Sequence, residues 1–215
     1  AKDVAAEFIN GRPNDNIGIT LFAGESFTQC PLTVDHAVLL DMIHNIKCGL
    51  IEDGTAVGMG IANAVTRLKD SKAKSKVIIL LTDGTNNKGD ISPMTAAEIA
   101  KSFGIRVYTI GVGTNGMAPY PYPVGNTVQY VSMPVEIDEK TLTQIAGTTD
   151  GNYFRATSNS KLKEVYEEID KLEKTKLNVK EYSKRDEEYH WFALAAFLCV
   201  LLEVLLRNSI LKKIP

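Results

Sequence analysis

The 215-residue sequence has few of the side chains that bind transition metals or form crosslinks. Its three cysteines, Cys30, Cys48 and Cys199, form no Cys-x-x-Cys pair, and its three histidines, His36, His44 and His190, are scattered. His44 and Cys48 are four apart, but no Cys-x-x-Cys or second His/Cys pair accompanies them, so nothing points to a zinc site. Cys30 and Cys48 are expected as buried free thiols rather than as a disulfide. GxxxxGK(S/T) and GxSxG are absent, which leaves P-loop and hydrolase chemistry without their motifs. Gly111-Val112-Gly113-Thr114-Asn115-Gly116 has the GxGxxG spacing after a strand, but it leads into a Pro/Gly/Tyr-rich stretch rather than a helix and so lacks the context of a dinucleotide fingerprint. Charge of one sign is also lacking: 24 Lys and Arg face 26 Asp and Glu, a net charge of -2. That balance gives no electrostatic reason to expect DNA or RNA as a partner. There is no internal repeat.

Helix and strand signals alternate along most of the chain. Residues 1–9 have the pattern of an amphipathic helix, with Val4, Phe8 and Ile9 apolar. The chain is expected to begin inside a larger element, as a trimmed or incomplete sequence would. A turn cluster, Gly11 to Asn16, precedes a strand at Ile17–Ala23 and a short one at Phe27–Cys30. Thr33 is the expected N-cap of a helix running to Ile46, and a further helix follows Asp53-Gly54-Thr55 to about Leu68. Val77–Leu81 is an uninterrupted apolar run, the pattern of a parallel strand covered on both faces. A helix at Pro93–Phe103 and a buried strand at Val107–Val112 follow. Gly113 to Pro134, rich in Pro, Gly and Tyr, is expected as a long excursion. Glu139–Ala146 and Ser158–Lys174 are expected helices with a short strand at Tyr153-Phe154 between them. This rhythm predicts an α/β fold, a doubly wound and mostly parallel sheet with helices on both faces.

In such folds ligands sit beyond the carboxyl ends of the strands. Two oxygen donors belong to that edge: Asp83, in the loop after Leu81, and Thr55, at a helix start. Singly, each has a plain structural explanation, Asp83-Gly84 as a turn pair and Thr55 as an N-cap. Together they suit part of the oxygen shell of a hard cation such as Mg²⁺, which keeps several waters.

DGTAVGMGIANAVTRL, from Asp53, and SKVIILLTDGTNNKGD, from Ser75, resemble the second and third segments of the metal-ion-dependent adhesion site of von Willebrand factor A domains. The resemblance covers about residues 1–174 and implies a Rossmann-like A-domain fold, with Thr55 and Asp83 as metal ligands. The family's Asp-x-Ser-x-Ser segment, which precedes the first helix, is absent from these 215 residues. The resemblance therefore implies that the first strand is missing here and that Mg²⁺ binding by this chain is weak or absent. RPNDNIGITLFAGESFTQCPLT, Ala118-Pro119-Tyr120-Pro121 and DGNYFRATSNSKLKEVYEEIDKLEK are similar to the membrane-anchored A-domain proteins of bacterial aerotolerance operons, the BatA type. That likeness implies a MoxR-type AAA+ ATPase and tetratricopeptide-repeat proteins as partners. It also implies the cytoplasmic (inner) membrane of a bacterium, with the A domain on the periplasmic side.

Trp191 to Leu206 is apolar apart from Glu203, with Tyr189, His190 and Trp191 before it and Arg207, Lys212 and Lys213 after it. It is expected to be a transmembrane helix with interfacial anchors. Four Lys and Arg upstream (Lys176, Lys180, Lys184, Arg185) against three downstream leave its orientation undecided by charge. The expected organisation is an A-like domain at 1–174, a linker at 175–190, and the helix with a short basic tail at 191–211. The expected function is a membrane-anchored, Mg²⁺-dependent protein-interaction or adhesion module of cell-envelope or aerotolerance complexes, not an enzyme. The competing expectation is a metal-independent structural subunit of a membrane complex.

Overall fold

The computed structural model describes residues 1–47, 49, 51–113, 116–124, 127–135, 137–183 and 189–209. The chain runs α1 (Lys2–Asn10), β1 (Ile17–Phe22), β2 (Ser26–Thr33), α2 (His36–His44), α3 (Val57–Leu68), β3 (Lys76–Thr82) and α4 (Pro93–Ser102). It continues with β4 (Ile105–Val112), β5 (Gly116–Val124), β6 (Thr127–Val135), α5 (Glu139–Thr148), β7 (Tyr153–Ala156), α6 (Asn159–Ser183) and α7 (Tyr189–Ser209). Residues Ala1–Lys174 and Thr175–Pro215 form two compact units.

The parallel strands β3, β4 and β7 lie in that order, with Ile78 opposite Val107 and Ile110 opposite Phe154. The apolar runs of β3 and β4 follow from cover on both faces. On one face Ile78, Leu80, Ile105 and Val107 pack against α3, α4 and α5 through residues such as Ile61, Ala97 and Ile145. On the other, Tyr108 and Ile110 pack against α1 and α6 through Val4, Val165 and Ile169. Phe8 of α1 stacks on Tyr166 of α6 with ring centroids 4.6 Å apart. A third cluster, Ile9, Cys30, Leu39 and Ile43, closes α1 and α2 over the antiparallel pair β1–β2. Among the described residues β1–β2 is a sheet of its own, with no ladder joining β1 to β3.

Several local expectations are corrected. Asp35, not Thr33, caps α2 and accepts from the Val38 amide, because β2 runs on through Thr33. The Gly113–Pro134 excursion holds an antiparallel hairpin, β5–β6, in continuous register from Gly116 opposite Val135 to Val124 opposite Thr127. Helix α6 continues to Ser183 rather than ending at Lys174. The expected transmembrane helix falls in α7, but among the described residues no helix is long and apolar enough to cross a membrane. Glu203 interrupts its apolar run. Cys30 is a buried free thiol, as expected; Cys48, Lys184, Arg185, Lys212 and Lys213 lie outside the described residues.

At the amino edge of the sheet one polar cluster is buried. Glu173 of α6 accepts from the Tyr108 hydroxyl at 2.6 Å and from Ser75 Oγ at 2.8 Å, and pairs with Arg106. A buried carboxylate persists only when its oxygens are satisfied in this way. The cluster fastens α6 to β4.

Candidate functional site

The carboxyl ends of β3 and β4 carry Thr82 and Gly111 in register, and the chain leaves β3 directly into Asp83. Asp83 is exposed. The loop turns at once, because the Gly84 amide donates to Thr82 Oγ1 at 3.3 Å. Across from it, the 52–56 loop is fixed to the end of β1, with Gly24 donating to the Glu52 carbonyl at 2.8 Å and Ala56 to the Ala23 carbonyl at 2.7 Å. Gly54 has φ +146°, a conformation open to glycine and costly for other residues, and it swings the chain into Thr55.

Both predicted site residues therefore arrive at one place. A methyl group built on Gly84 would lie 3.1 Å from Thr55 Oγ1, which puts the Thr55 hydroxyl against the backbone next to Asp83. Thr55 is not the N-cap of α3. That position belongs to Ala56, which has no side-chain cap bond.

The capping work is done from the other loop, by residues that a sequence reading has no means of finding. Asn86 Oδ1 accepts from the Val57 amide at 2.8 Å, satisfying one of the orphan donors of α3. Asn87 Oδ1 accepts from the Thr55 amide at 2.8 Å, and the Asn87 amide donates back to the Thr55 carbonyl at 3.0 Å. Two segments some thirty residues apart thus form a single platform. α3 can approach it because Gly58 has no side chain: a Cβ there would stand 2.0 Å from the Ile91 carbonyl oxygen.

Charge at this edge comes from a second pair. Lys88 Nζ bonds Glu52 Oε1 at 2.6 Å, and the Lys88 stem lies across Gly54. The hydrogen bond and positive charge of Lys88 hold the Glu52 carboxyl below its ordinary range. Both side chains are solvent-exposed, so the pair is readily exchanged for other partners.

A carboxylate and a hydroxyl are donor types that a hard cation takes, but two of them do not complete an octahedral shell, and among the described residues no three His, Cys, Asp or Glu side chains converge. A cavity of about 320 Å³ between α1 and α6, lined by Phe8, Arg12, Tyr166 and Asp170 among others, contains neither Thr55 nor Asp83.

The chain resembles several known proteins. The chain is 26% identical over 215 residues to a protein of Borreliella burgdorferi, and 28% identical over 180 residues to a UPF0353 protein of Mycolicibacterium paratuberculosis. Those alignments take in 100% and 77% of the chain but only 63% and 51% of the relatives, so the chain spans little more than half of their length. Among solved structures it resembles BatB of Bacteroides thetaiotaomicron, with TM-score 0.69 and 32% identity over 80% of this chain and 86% of that one. An aerotolerance-related membrane protein of Bacteroides fragilis gives TM-score 0.68 and 28% identity, over 79% and 84%. Proximal thread matrix protein 1 of the mussel byssus, in a form with a zinc-occupied MIDAS motif, gives 0.59 and 25%, over 80% and 39%. Residues 1–168 match the von Willebrand factor type A domain, and the chain belongs to that family.

Proposed function

We propose that the chain is a protein-interaction module whose carboxyl edge receives an acidic side chain of a partner protein, with a divalent cation held in part by Thr55 and Asp83. The observation that carries this is the closeness of the Thr55 hydroxyl to Gly84, the neighbour of Asp83, where a methyl group would meet it at 3.1 Å, on two loops locked together by Asn86 and Asn87. A carboxylate, a hydroxyl and water are the oxygen donors that suit Mg²⁺. The remaining positions of its shell would be filled by water or by groups outside these 215 residues. What a bound ion supplies is an open coordination position for a carboxylate oxygen; Thr55 and Asp83 supply its placement. Zinc in the mussel protein's MIDAS motif supports a metal at this edge in a protein of related fold.

Helix α7 would tie the module to a membrane. Phe197, Val200 and Val204 on one side of the helix, and Leu198 and Leu202 on the other, are each more than half exposed. An apolar surface of that kind needs a cover that water does not provide. The name of the Bacteroides fragilis protein supports this association. On that reading the chain acts in a cell-envelope or aerotolerance complex, and a MoxR-type AAA+ ATPase and tetratricopeptide-repeat proteins are the partners to assay first.

A metal-independent structural role is the second reading, favoured by the Glu52–Lys88 pair, which presents charge at the same edge without an ion. One experiment separates the two. A purified MoxR-type ATPase is titrated onto the immobilised chain in Mg²⁺ and again in EDTA. The first reading expects binding lost in EDTA and in Asp83→Ala, whereas binding that persists in both overturns it in favour of the second.

A further inference from the structure

The β5–β6 hairpin has one guarded edge and one open edge. From Gly116 to Val135 there is no Asp, Glu, Lys, Arg or His, so neither edge has the charges that commonly keep strand edges apart. Proline guards one side. Pro119, Pro121 and Pro123 recur at every second residue of β5, so their nitrogens all face the same edge. A proline nitrogen turned toward β6 would break the ladder, yet the register is continuous. The three nitrogens therefore face outward. The outer edge of β5 is short of donors.

The same phase fixes β6. Pro123, Pro121 and Pro119 stand opposite Val128, Tyr130 and Ser132, and Met117 stands opposite Pro134. In an antiparallel pair, residues opposite one another share the same hydrogen-bonding state. The amides and carbonyls of Val128, Tyr130 and Ser132 thus point away from β5, and Pro134 ends the row of donors. Among the described residues this sheet has two strands only. Tyr130 is 72% exposed and Val131 47%. Two-stranded sheets are marginal by themselves, and a free edge with consecutive donors is a template for another strand.

We propose that the occupant of this edge is the β6 of a second copy of the chain, antiparallel about a two-fold axis at Tyr130. The edge is self-complementary. With Tyr130 opposite itself, Val128 of each chain meets the partner's Ser132, every outward donor finds an acceptor, and Pro134 falls beyond the ladder. A charged edge would repel its own copy; this one is neutral. The four-stranded sheet that results, β5-β6-β6-β5, carries proline on both outer edges, so pairing stops at two copies. The dimer is isologous and closed. It uses no residue of the carboxyl edge, and the two proposals stand or fall separately.

Cysteine crosslinking tests the register in the full 215-residue chain in detergent micelles, with Cys30, Cys48 and Cys199 replaced by Ala. Facing residues of a hydrogen-bonded antiparallel pair have Cα atoms about 5.5 Å apart, within disulfide range. Tyr130→Cys should thus give a disulfide-linked dimer under mild oxidation. Ser132→Cys should not, since its two copies would lie about 14 Å apart along the strands. Adding Ser132→Pro to Tyr130→Cys removes a donor from the open edge without touching the β5–β6 ladder, and should cut crosslinking several-fold. Any association through α7 would raise both cysteine variants alike, so the contrast between them is the readout. Equal crosslinking at 130 and 132, stronger crosslinking at 132, no dimer at 130, or indifference to Ser132→Pro would each overturn the proposal.

Discussion

Replacing Glu173 with Gln should lower stability by an amount the amino-edge cluster sets. The carboxylate is 6% exposed and Arg106 15%, and Glu173 also accepts from Tyr108 and Ser75. Gln keeps the volume and one carbonyl oxygen but removes the charge that compensates the Arg106 guanidinium. Breaking a buried pair from one side costs about 3–5 kcal/mol. Arg106 keeps some access to water and Gln retains an acceptor, so a cost just below that range, about 2–3 kcal/mol, is expected. For a domain of this size that corresponds to a fall in Tm of roughly 4–12 °C, read by circular dichroism on the chain in detergent. The pH dependence adds a sign. Burial alone would push the Glu173 carboxyl up, but hydrogen bonds from Tyr108, Ser75 and Arg106 and the charge of Arg106 outweigh it and leave it lowered. Its stabilisation is then fully present above the unfolded pKa of about 4.3 and is lost as pH falls through the folded value. The gap between wild type and Glu173→Gln should be constant near neutrality and close below about pH 4. Equal melting at pH 7, or a gap that widens in acid, would refute the reasoning.

Two other perturbations follow from single contacts. Gly58→Ala drives a methyl group into the Ile91 carbonyl and should cost about 1–3 kcal/mol as α3 is pushed off the loop; an unchanged urea midpoint would deny that contact. Removing residues 186–215 should abolish co-flotation with lipid vesicles and leave a chain soluble without detergent, whereas a truncated chain that still floats would place the membrane contact elsewhere.

How much of this was legible in the sequence depends on whether the cause was local. Val77–Leu81, an uninterrupted apolar run, and Val107–Val112, apolar apart from Thr109, announce parallel strands covered on both faces, and β3 and β4 follow. Thr55 and Asp83 could be placed on one edge because parallel strands put all their carboxyl ends together. The lock between their loops could not, since Asn86 and Asn87 act on amides about thirty positions earlier. Prolines 119, 121 and 123 suggest a break in regular structure, yet spacing by two confines their missing donors to one edge and the hairpin survives. Thr33 and Asp35 are both acceptable caps; the length of β2, a matter of pairing with β1, decides for Asp35.

The central claim, a cation-assisted binding edge at Thr55 and Asp83, is tested most directly with Mn²⁺, which shares the oxygen preference of Mg²⁺ and broadens nearby nuclear resonances even when weakly bound. Substoichiometric Mn²⁺ is added to the isotope-labelled chain, and amide intensities are compared between wild type and Asp83→Ala. The account predicts selective loss of the 54–57 and 83–88 amides, reversed by excess Mg²⁺ and abolished in Asp83→Ala. Broadening centred elsewhere, or the same broadening in both proteins, would contradict it.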